Sequence, residues 1–189
     1  MSESKPTIAG FSVVSEQESP IRVAVIGTGH LGRIHARLLS QVAGAKLVAV
    51  CDVNEDACQA VASEHDVLAF QDVTSCLDQI DAAVVAAPTG CHPSIATTLI
   101  QAGKHVLVEK PLGLKASDFD DVIAARDASG LHVAEAYMVV HHPQWHKARA
   151  LLRDGAVGEL AQIDTVFSYN NAADTGNIRN RAETGGGAI

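Results

Sequence analysis

Three glycines mark the first segment of this sequence whose residue types and spacing could do chemistry. Gly27, Gly29 and Gly32 form a Gly-x-Gly-x-x-Gly pattern directly after a short apolar run. In such a loop the first glycine permits a tight turn, the second lets the backbone approach a diphosphate, and the third lets a helix pack closely on the preceding strand. The diphosphate would lie at the N-terminus of that helix, where unpaired amides and the helix dipole favour negative charge. The residues predicted to contact it are Gly27, Thr28, Gly29, His30, Leu31 and Gly32. The alternative is a glycine-rich turn without a ligand.

A carboxylate follows this loop at the distance that a dinucleotide site requires. Asp52 lies 20 residues beyond Gly32, after a second apolar run. A carboxylate there accepts hydrogen bonds from the adenosine ribose of NAD, and it would repel the 2'-phosphate of NADP. Val53 and Asn54 offer no cation to offset that repulsion. The pattern therefore favours NAD and leaves NADP as the alternative. Asp52 could also be the N-cap of the following helix.

The elements that must position these residues alternate regularly from Ile21 onward. Short apolar runs predict strands over residues 22–26, 46–51, 82–87, 105–108 and 132–136, and helix-like sequence follows each. The spacing of Leu31, Ile34, Leu38, Leu39 and Val42 indicates the buried face of the first helix. A later helix is expected to begin with Ser117 as its cap and to end at Gly130. This alternation predicts an α/β protein with a Rossmann-type, doubly wound parallel sheet over residues 21–138.

The pattern changes after Pro143. Residues 144–153 predict a helix that ends at Gly155, and residues 160–169 predict one longer strand. Such a strand needs partners that the last twenty residues cannot supply, so its apolar side chains would favour self-association. We therefore interpret residues 139–189 as the start of an incomplete α+β domain, and residues 1–20 as a flexible tail.

Composition and charge exclude several classes of partner. The formal net charge is −8, and no cluster of Lys and Arg exists to bind phosphate backbones, so nucleic acid is not expected. No apolar segment is long enough to cross a membrane. The cysteines Cys51, Cys58, Cys76 and Cys91 have no CxxC spacing and are interpreted as reduced core thiols. The first twenty residues lack the features of a secretion signal, so a cytoplasmic location is expected.

A second motif makes the sequence more specific. The stretch AAPTGCHPSIATTLIQAGKHVLVEKPLG begins at Ala86 and ends at Gly113. Together with the glycine loop it closely resembles the Gfo/Idh/MocA family of NAD(P)-dependent oxidoreductases, whose members largely act on sugars, inositols and related polyols. The resemblance implies that the cofactor is also contacted by Pro88, Thr89, His92, Glu109 and Lys110.

Lys110 is the predicted catalytic residue. Ligands of open α/β sheets bind beyond the carboxyl ends of the strands, and Lys110 ends a strand. There it could move a proton to or from a substrate hydroxyl while hydride passes between the carbinol carbon and the nicotinamide ring. The alternatives are an exposed strand-end lysine and a lysine that only binds substrate. The resemblance also makes Pro111 a candidate for a cis peptide bond.

The resemblance extends beyond the nucleotide domain. The sequence from Ala134 to Asn170 and the later NIRNRAETGGGAI are similar to the branch of the family that contains glucose-fructose oxidoreductase, xylose dehydrogenase and dihydrodiol dehydrogenase. This similarity implies that Glu135, Tyr137, His141 and His142 line the substrate pocket. His142 and His146 are four residues apart, but they lack a third ligand, and no metal site is expected.

Two functional hypotheses follow. The favoured one is an NAD(P)-dependent oxidoreductase for a sugar, polyol or related hydroxy compound, homo-oligomeric in its full-length form. Family members continue well beyond the position of Gly185, Gly186 and Gly187, so a truncation is expected, and a natural short form is the alternative. The second hypothesis is a catalytically inactive NAD-binding module. Another Rossmann reductase, such as an amino-acid biosynthetic dehydrogenase, is disfavoured by Glu-Lys-Pro.

Overall fold

Six parallel strands form the centre of the molecule. The structure is a computed structural model that describes residues 19–168 together with residues 170, 173, 174, 177, 180 and 181. The strands are β1 (Ile21–Ile26), β2 (Ala45–Cys51), β3 (Leu68–Phe70), β4 (Ala82–Val85), β5 (His105–Glu109) and β6 (Val133–Ala136). Their order is β3-β2-β1-β4-β5-β6, and every neighbouring pair is parallel. This is the predicted doubly wound α/β sheet.

Helices cover both faces of this sheet. They are α1 (His30–Leu39), α2 (Glu55–His65), α3 (His92–Gln101), α4 (Asp120–Ser129) and α5 (Pro143–Arg153), with short 3-10 helices over Val73–Gln79, Thr89–Cys91, Ala116–Phe119 and Met138–His141. One core cluster joins the sheet to α1 and α2, and the other joins it to α3 and α4. Successive strand residues belong to opposite clusters, as the alternation of side chains along a strand requires. No helix in the described ranges combines the length and apolar character needed to cross a bilayer.

The small residues of α1 determine how this helix packs. Its buried residues are Gly32 and Ala36, whereas Leu38 is exposed and Val42 lies beyond the end of the helix. The predicted apolar face was therefore partly wrong. A Cβ atom at Gly32 would lie 1.8 Å from the carbonyl oxygen of Gly27, so α1 can approach β1 this closely only because Gly32 has no side chain. Close approach of the backbones, more than burial of large side chains, positions the glycine loop.

The other predicted elements agree with the structure except at their ends. The five predicted strands are present, β3 was missed because it has only three residues, and β4 stops at Val85. The residue that stabilises the turn before α4 is Asp118, whose Oδ2 accepts from the amides of Leu114 and Lys115 at 2.9 and 3.0 Å, so the predicted Ser117 cap was wrong. Gly130 ends α4 in the left-handed conformation, with φ 68°, as predicted.

The predicted long strand over residues 160–169 was wrong as far as the structure describes it. Residues 160–168 pair with none of the six strands, and Tyr169 lies outside the described residues. A strand exists only through hydrogen bonds to a neighbouring strand, so a strand-like pattern alone does not create one. The side chains of Ile163, Val166 and Phe167 are exposed. The predictions for residues 1–18 and for Gly185 to Gly187 also lie outside the described residues.

Three of the four cysteines belong to the core as predicted. Cys51, Cys58 and Cys76 are free and buried, and burial raises the pKa of the Cys51 thiol to about 12. Cys91 is exposed on the short 3-10 helix after β4, so its prediction as a core thiol was wrong.

Candidate functional site

The loops after β1, β4 and β5 share one edge of the sheet. Ile26 pairs with Val85, and Val85 pairs with Val108, so these strands end side by side. From β1 the chain runs outward to β2 and β3, and it then returns to β4 on the other side of β1. The crevice at this change of direction is where open α/β sheets bind ligands. The glycine loop, Pro88 and Lys110 all follow these strand ends.

Backbone packing within the protein requires two of the three glycines, Gly27 and Gly32. Gly27 adopts φ 99°, and a Cβ there would lie 2.6 Å from the Ala86 carbonyl oxygen. Gly32 is equally constrained by the Gly27 carbonyl oxygen. Gly29 is different, because its φ of −66° is ordinary for any residue. Apart from its chain neighbours, no described atom lies within 4 Å of the position that its Cβ would take. Nothing within the described chain therefore explains a glycine at position 29.

The first turn of α1 is free to receive an anion. Gly29 is the N-cap residue and gives no side-chain cap, and no acidic residue stands in the first turn. The remaining predicted loop contacts, His30 and Leu31, are the first two residues of this helix. A diphosphate could bind the first-turn amides without displacing a protein carboxylate.

Asp52 is held by the glycine loop itself. Its Oδ2 accepts from the amide and the hydroxyl of Thr28 at 2.6 and 2.9 Å, and its Oδ1 accepts from the amide of Asn54 at 2.9 Å. Burial alone would raise the pKa of Asp52, but these hydrogen bonds hold the pKa below its usual value. The carboxylate is therefore ionised at neutral pH. The N-cap of α2 is Asn54, which accepts from the amide of Ala57 at 3.0 Å, so the alternative cap role of Asp52 was wrong.

Lys110 follows the last residue of β5 and is partly exposed. Among the residues that the structure describes, no hydrogen bond or ion pair engages its ammonium group. The Lys110–Pro111 peptide bond is cis, which confirms the prediction. The Lys110 side chain is thus available to a ligand in the crevice.

Glu109 faces the protein interior. It is 4% exposed, its Oε1 lies 2.7 Å from His35 Nε2, and its Oε2 accepts from the Lys110 amide at 3.1 Å. Sequence reasoning had predicted a cofactor contact for Glu109 and had missed His35. The sequence could have indicated His35 by its spacing. It lies three residues after Gly32 and therefore on the same, inward-facing side of α1.

His92 has backbone partners on both sides of its ring. The ring is 1% exposed, with Nδ1 3.0 Å from the Pro111 carbonyl oxygen and Nε2 2.7 Å from the Ala87 carbonyl oxygen. A direct hydrogen bond from this ring to a cofactor would require one of these contacts to break. Pro88 and Thr89 lie between Ala87 and His92, with Pro88 exposed and Thr89 partly buried. His92 therefore links the loop after β4 to the loop after β5.

Tyr137, one of the predicted substrate residues, lies beside Lys110 at the ends of neighbouring strands. Glu109 pairs with Ala136 in the β5–β6 ladder, so Lys110 and Tyr137 follow directly paired residues. Tyr137, His141 and His142 are all exposed. His142 is also the N-cap of α5, because its Nδ1 accepts from the amide of Gln144 at 3.2 Å. In the described ranges no three His, Cys, Asp or Glu side chains form a group that could hold a metal ion.

Residues 21–137 match the GFO_IDH_MocA family model, described as an oxidoreductase family with an NAD-binding Rossmann fold. Among curated proteins, the chain is similar to inositol 2-dehydrogenase 1 of Saccharopolyspora erythraea, with 37% identity over 152 residues that cover 77% of this chain and 45% of that protein. The chain spans about half the length of the curated relatives it matches.

Two solved structures show the same architecture with cofactors bound. The scyllo-inositol dehydrogenase of Lactobacillus casei, with NAD(H) and scyllo-inositol, has a TM-score of 0.71 and 27% identity, covering 75% of this chain and 43% of that one. A 3-ketoreductase of Actinomadura kijaniata, in complex with TDP-benzene and NADP, has a TM-score of 0.69 and 28% identity, covering 75% of this chain and 46% of that one.

Proposed function

The chain belongs to the Gfo/Idh/MocA oxidoreductase family, and we propose that it is an NAD(P)-dependent oxidoreductase acting on a sugar, polyol or related hydroxy compound. The observation that carries this proposal is the open space at Gly29, the one glycine of the loop that the protein's own packing does not require. A diphosphate that approaches the backbone here would leave no room for a side chain, which explains the glycine at position 29.

The residues at the crevice fit a nicotinamide dinucleotide along its length. The glycine loop and the first turn of α1 would hold the diphosphate, and Asp52 would accept from the adenosine ribose. Pro88, Thr89 and Lys110 follow β4 and β5, at the end of the crevice left for the nicotinamide. In this arrangement residues 21–138 form the cofactor domain, and the residues after 138 begin the substrate domain.

We infer that NAD is preferred over NADP. Asp52 is ionised at neutral pH, and its Oδ1 accepts only one hydrogen bond within the described chain, which leaves a lone pair for a ribose hydroxyl. The same charge would repel a 2'-phosphate. The relatives with bound cofactor include both an NAD(H) and an NADP complex, so the preference depends on this side chain and not on the family alone.

Lys110 is the group that moves the substrate proton. The nicotinamide, when bound, supplies the hydride acceptor or donor. In oxidation, Lys110 Nζ accepts the hydroxyl proton as the substrate carbinol becomes a carbonyl. In reduction, Lys110 Nζ donates a proton to the carbonyl oxygen. The absence of any protein partner for the Lys110 ammonium in the described chain supports this role.

The substrate side of the proposal depends on the neighbourhood of Lys110. Tyr137 follows the residue paired with Glu109, so a substrate beside Lys110 would also lie near the end of β6. We propose that Tyr137, His141 and His142 contact this substrate and that the full-length enzyme is a homo-oligomer. A reducing cytoplasmic setting suits the free buried thiols.

A second candidate function is an NAD-binding module without catalysis. It is favoured by the exposure of Tyr137, His141 and His142 in the part of the chain that the structure describes. Calorimetric titration with NADH and NADPH, followed by turnover assays with a panel of inositols, sugars and polyols, separates the candidates. Binding with turnover supports the oxidoreductase, and binding without turnover of any candidate supports the module. Binding of neither dinucleotide contradicts both.

A further inference from the structure

A buried hydrogen bond between two side chains joins the helix of the glycine loop to the strand that precedes Lys110. His35 on α1 and Glu109 on β5 are 74 residues apart in sequence, and their side chains meet at 2.7 Å. The Glu109 side chain is 5% exposed and the His35 side chain 19%. Burial of a polar side chain without hydrogen-bond partners is costly, so the contact with His35 compensates for the burial of Glu109.

The second oxygen of Glu109 extends the contact to Lys110. Glu109 Oε2 accepts from the Lys110 amide at 3.1 Å, which holds the backbone of Lys110 against the carboxylate. The three residues therefore form a chain of two hydrogen bonds, which we call the His35 relay. At its far side, the Pro111 carbonyl is held separately by His92 at 3.0 Å. The position of Glu109, before Lys110, thus depends on His35, and the position of Pro111, after it, depends on His92.

The relay connects the two ends of the cofactor crevice. α1 begins beside Gly29, where the diphosphate would bind, and Lys110 stands where hydride transfer would occur. A displacement of Glu109 would change the position of the Lys110 backbone, because the Lys110 amide donates to Glu109 Oε2. We propose that His35 is a positioning residue that fixes Lys110 relative to the bound nicotinamide. The positioning role rests on the proposed function, whereas the two hydrogen bonds of the His35 relay do not.

The first test measures the relay in the absence of any ligand. Solvent exchange of the Lys110 amide is followed by NMR in the full chain, in His35→Ala, and in His35→Gln, which can still donate to Glu109. Arg37→Ala, on the exposed side of the same helix, is the matched control. Without His35, the Glu109 side chain is no longer held in place, so its hydrogen bond to the Lys110 amide weakens. We therefore expect exchange about tenfold faster in His35→Ala. Exchange close to that of the unchanged chain is expected in His35→Gln and in the control.

Unchanged exchange in His35→Ala, or an equal increase in Arg37→Ala, would overturn the relay. If His35→Ala does not fold, Glu109→Met takes its place. A methionine side chain of similar length offers no oxygen to the Lys110 amide, so the same acceleration is expected, and its absence would equally overturn the proposal.

The second test measures the consequence for catalysis in a full-length form. We expect His35→Ala to lower kcat by about tenfold, with recovery in His35→Gln, while the Kd values of NADH and ADP-ribose change by less than about twofold. ADP-ribose carries the adenosine and diphosphate but no nicotinamide, so it reports the glycine loop and Asp52 without Lys110. A loss of affinity for both ligands would show that His35 merely supports α1, and an unchanged kcat would show that His35 does not position Lys110; either result overturns the positioning role. Failure of the unchanged chain to bind either ligand would instead refute the proposed function, while amide exchange still decides the relay.

Discussion

Thr28 and Asp52 are joined by two hydrogen bonds to a single carboxylate oxygen. The amide and the hydroxyl of Thr28 lie 2.6 and 2.9 Å from Asp52 Oδ2. Thr28 is 1% exposed, so these bonds are shielded from water. The loop after β1 therefore orients the carboxylate at the end of β2, and the two parts of the proposed cofactor site are not independent.

Thr28→Val tests this orientation. The substitution keeps the shape of the side chain and the amide hydrogen bond, and it removes the hydroxyl donor. We expect the Kd of NADH to rise about threefold to tenfold, because Asp52 loses one of its two Thr28 contacts. Calorimetric titration measures the change. Thr98→Val, which removes a hydroxyl bonded to the Ser94 carbonyl oxygen near the C-terminus of α3, should leave the Kd unchanged. An unaltered Kd in Thr28→Val would contradict the prediction.

Asp52→Asn tests the source of the NAD preference. Removal of the negative charge should weaken NADH binding and strengthen NADPH binding, so that the ratio of their Kd values shifts by at least about tenfold. The matched control is Asp72→Asn, which removes an exposed carboxylate that also caps a turn. A ratio that stays constant in Asp52→Asn would assign the preference to another residue.

Substitutions at Gly29 and Gly32 should separate binding from folding. Gly29→Val is expected to leave the melting temperature nearly unchanged and to abolish NADH binding, because its side chain would occupy space that the protein leaves open. Gly32→Ala is expected to lose about 3 kcal/mol or more of stability, because its Cβ would overlap the Gly27 carbonyl oxygen. Thermal unfolding and NADH titration of both variants check this contrast. Strong NADH binding by folded Gly29→Val would remove the main support for the proposed function.

Lys110→Ala should separate binding from chemistry. We expect the NADH affinity to remain nearly intact while turnover in a full-length form falls about a hundredfold or more, the usual contribution of a positioned proton-transfer group. Lys115→Ala, an exposed lysine on the following loop, is the control and should retain turnover. Unchanged turnover in Lys110→Ala would exclude its catalytic role.

The ion pair of Arg22 and Asp81 predicts a pH dependence of stability. The guanidinium and the backbone amide of Arg22 hold the pKa of Asp81 at about 2, below the ordinary value of a carboxyl group. Because the folded-state pKa is depressed, the stabilisation is complete above about pH 4 and is lost as the pH falls toward 2. Both side chains are more than 40% exposed, so the effect is small. In urea unfolding, Asp81→Asn should lower the midpoint at pH 7 and have less effect at pH 2.5. An equal effect at both values would contradict this assignment.

Much of the fold was determined by the sequence itself. Alternating apolar runs predicted five of the six strands, because buried parallel strands need β-branched and small residues on both faces. The glycine spacing predicted the loop and its helix, because turn geometry and close packing are local requirements. The positions of Asp52 and Lys110 at strand ends followed from the same pattern. Each of these features depends on residues close together in the chain.

Tertiary structure alone decided which polar groups meet. The contacts of His35 with Glu109 and of His92 with Ala87 and Pro111 join separate elements, so no local pattern specified them. Residues 160–168 show the converse case, because a strand-like pattern forms no strand without a neighbouring strand. A local pattern fixes what a segment can form, whereas the hydrogen-bond partners of buried side chains depend on how distant segments pack.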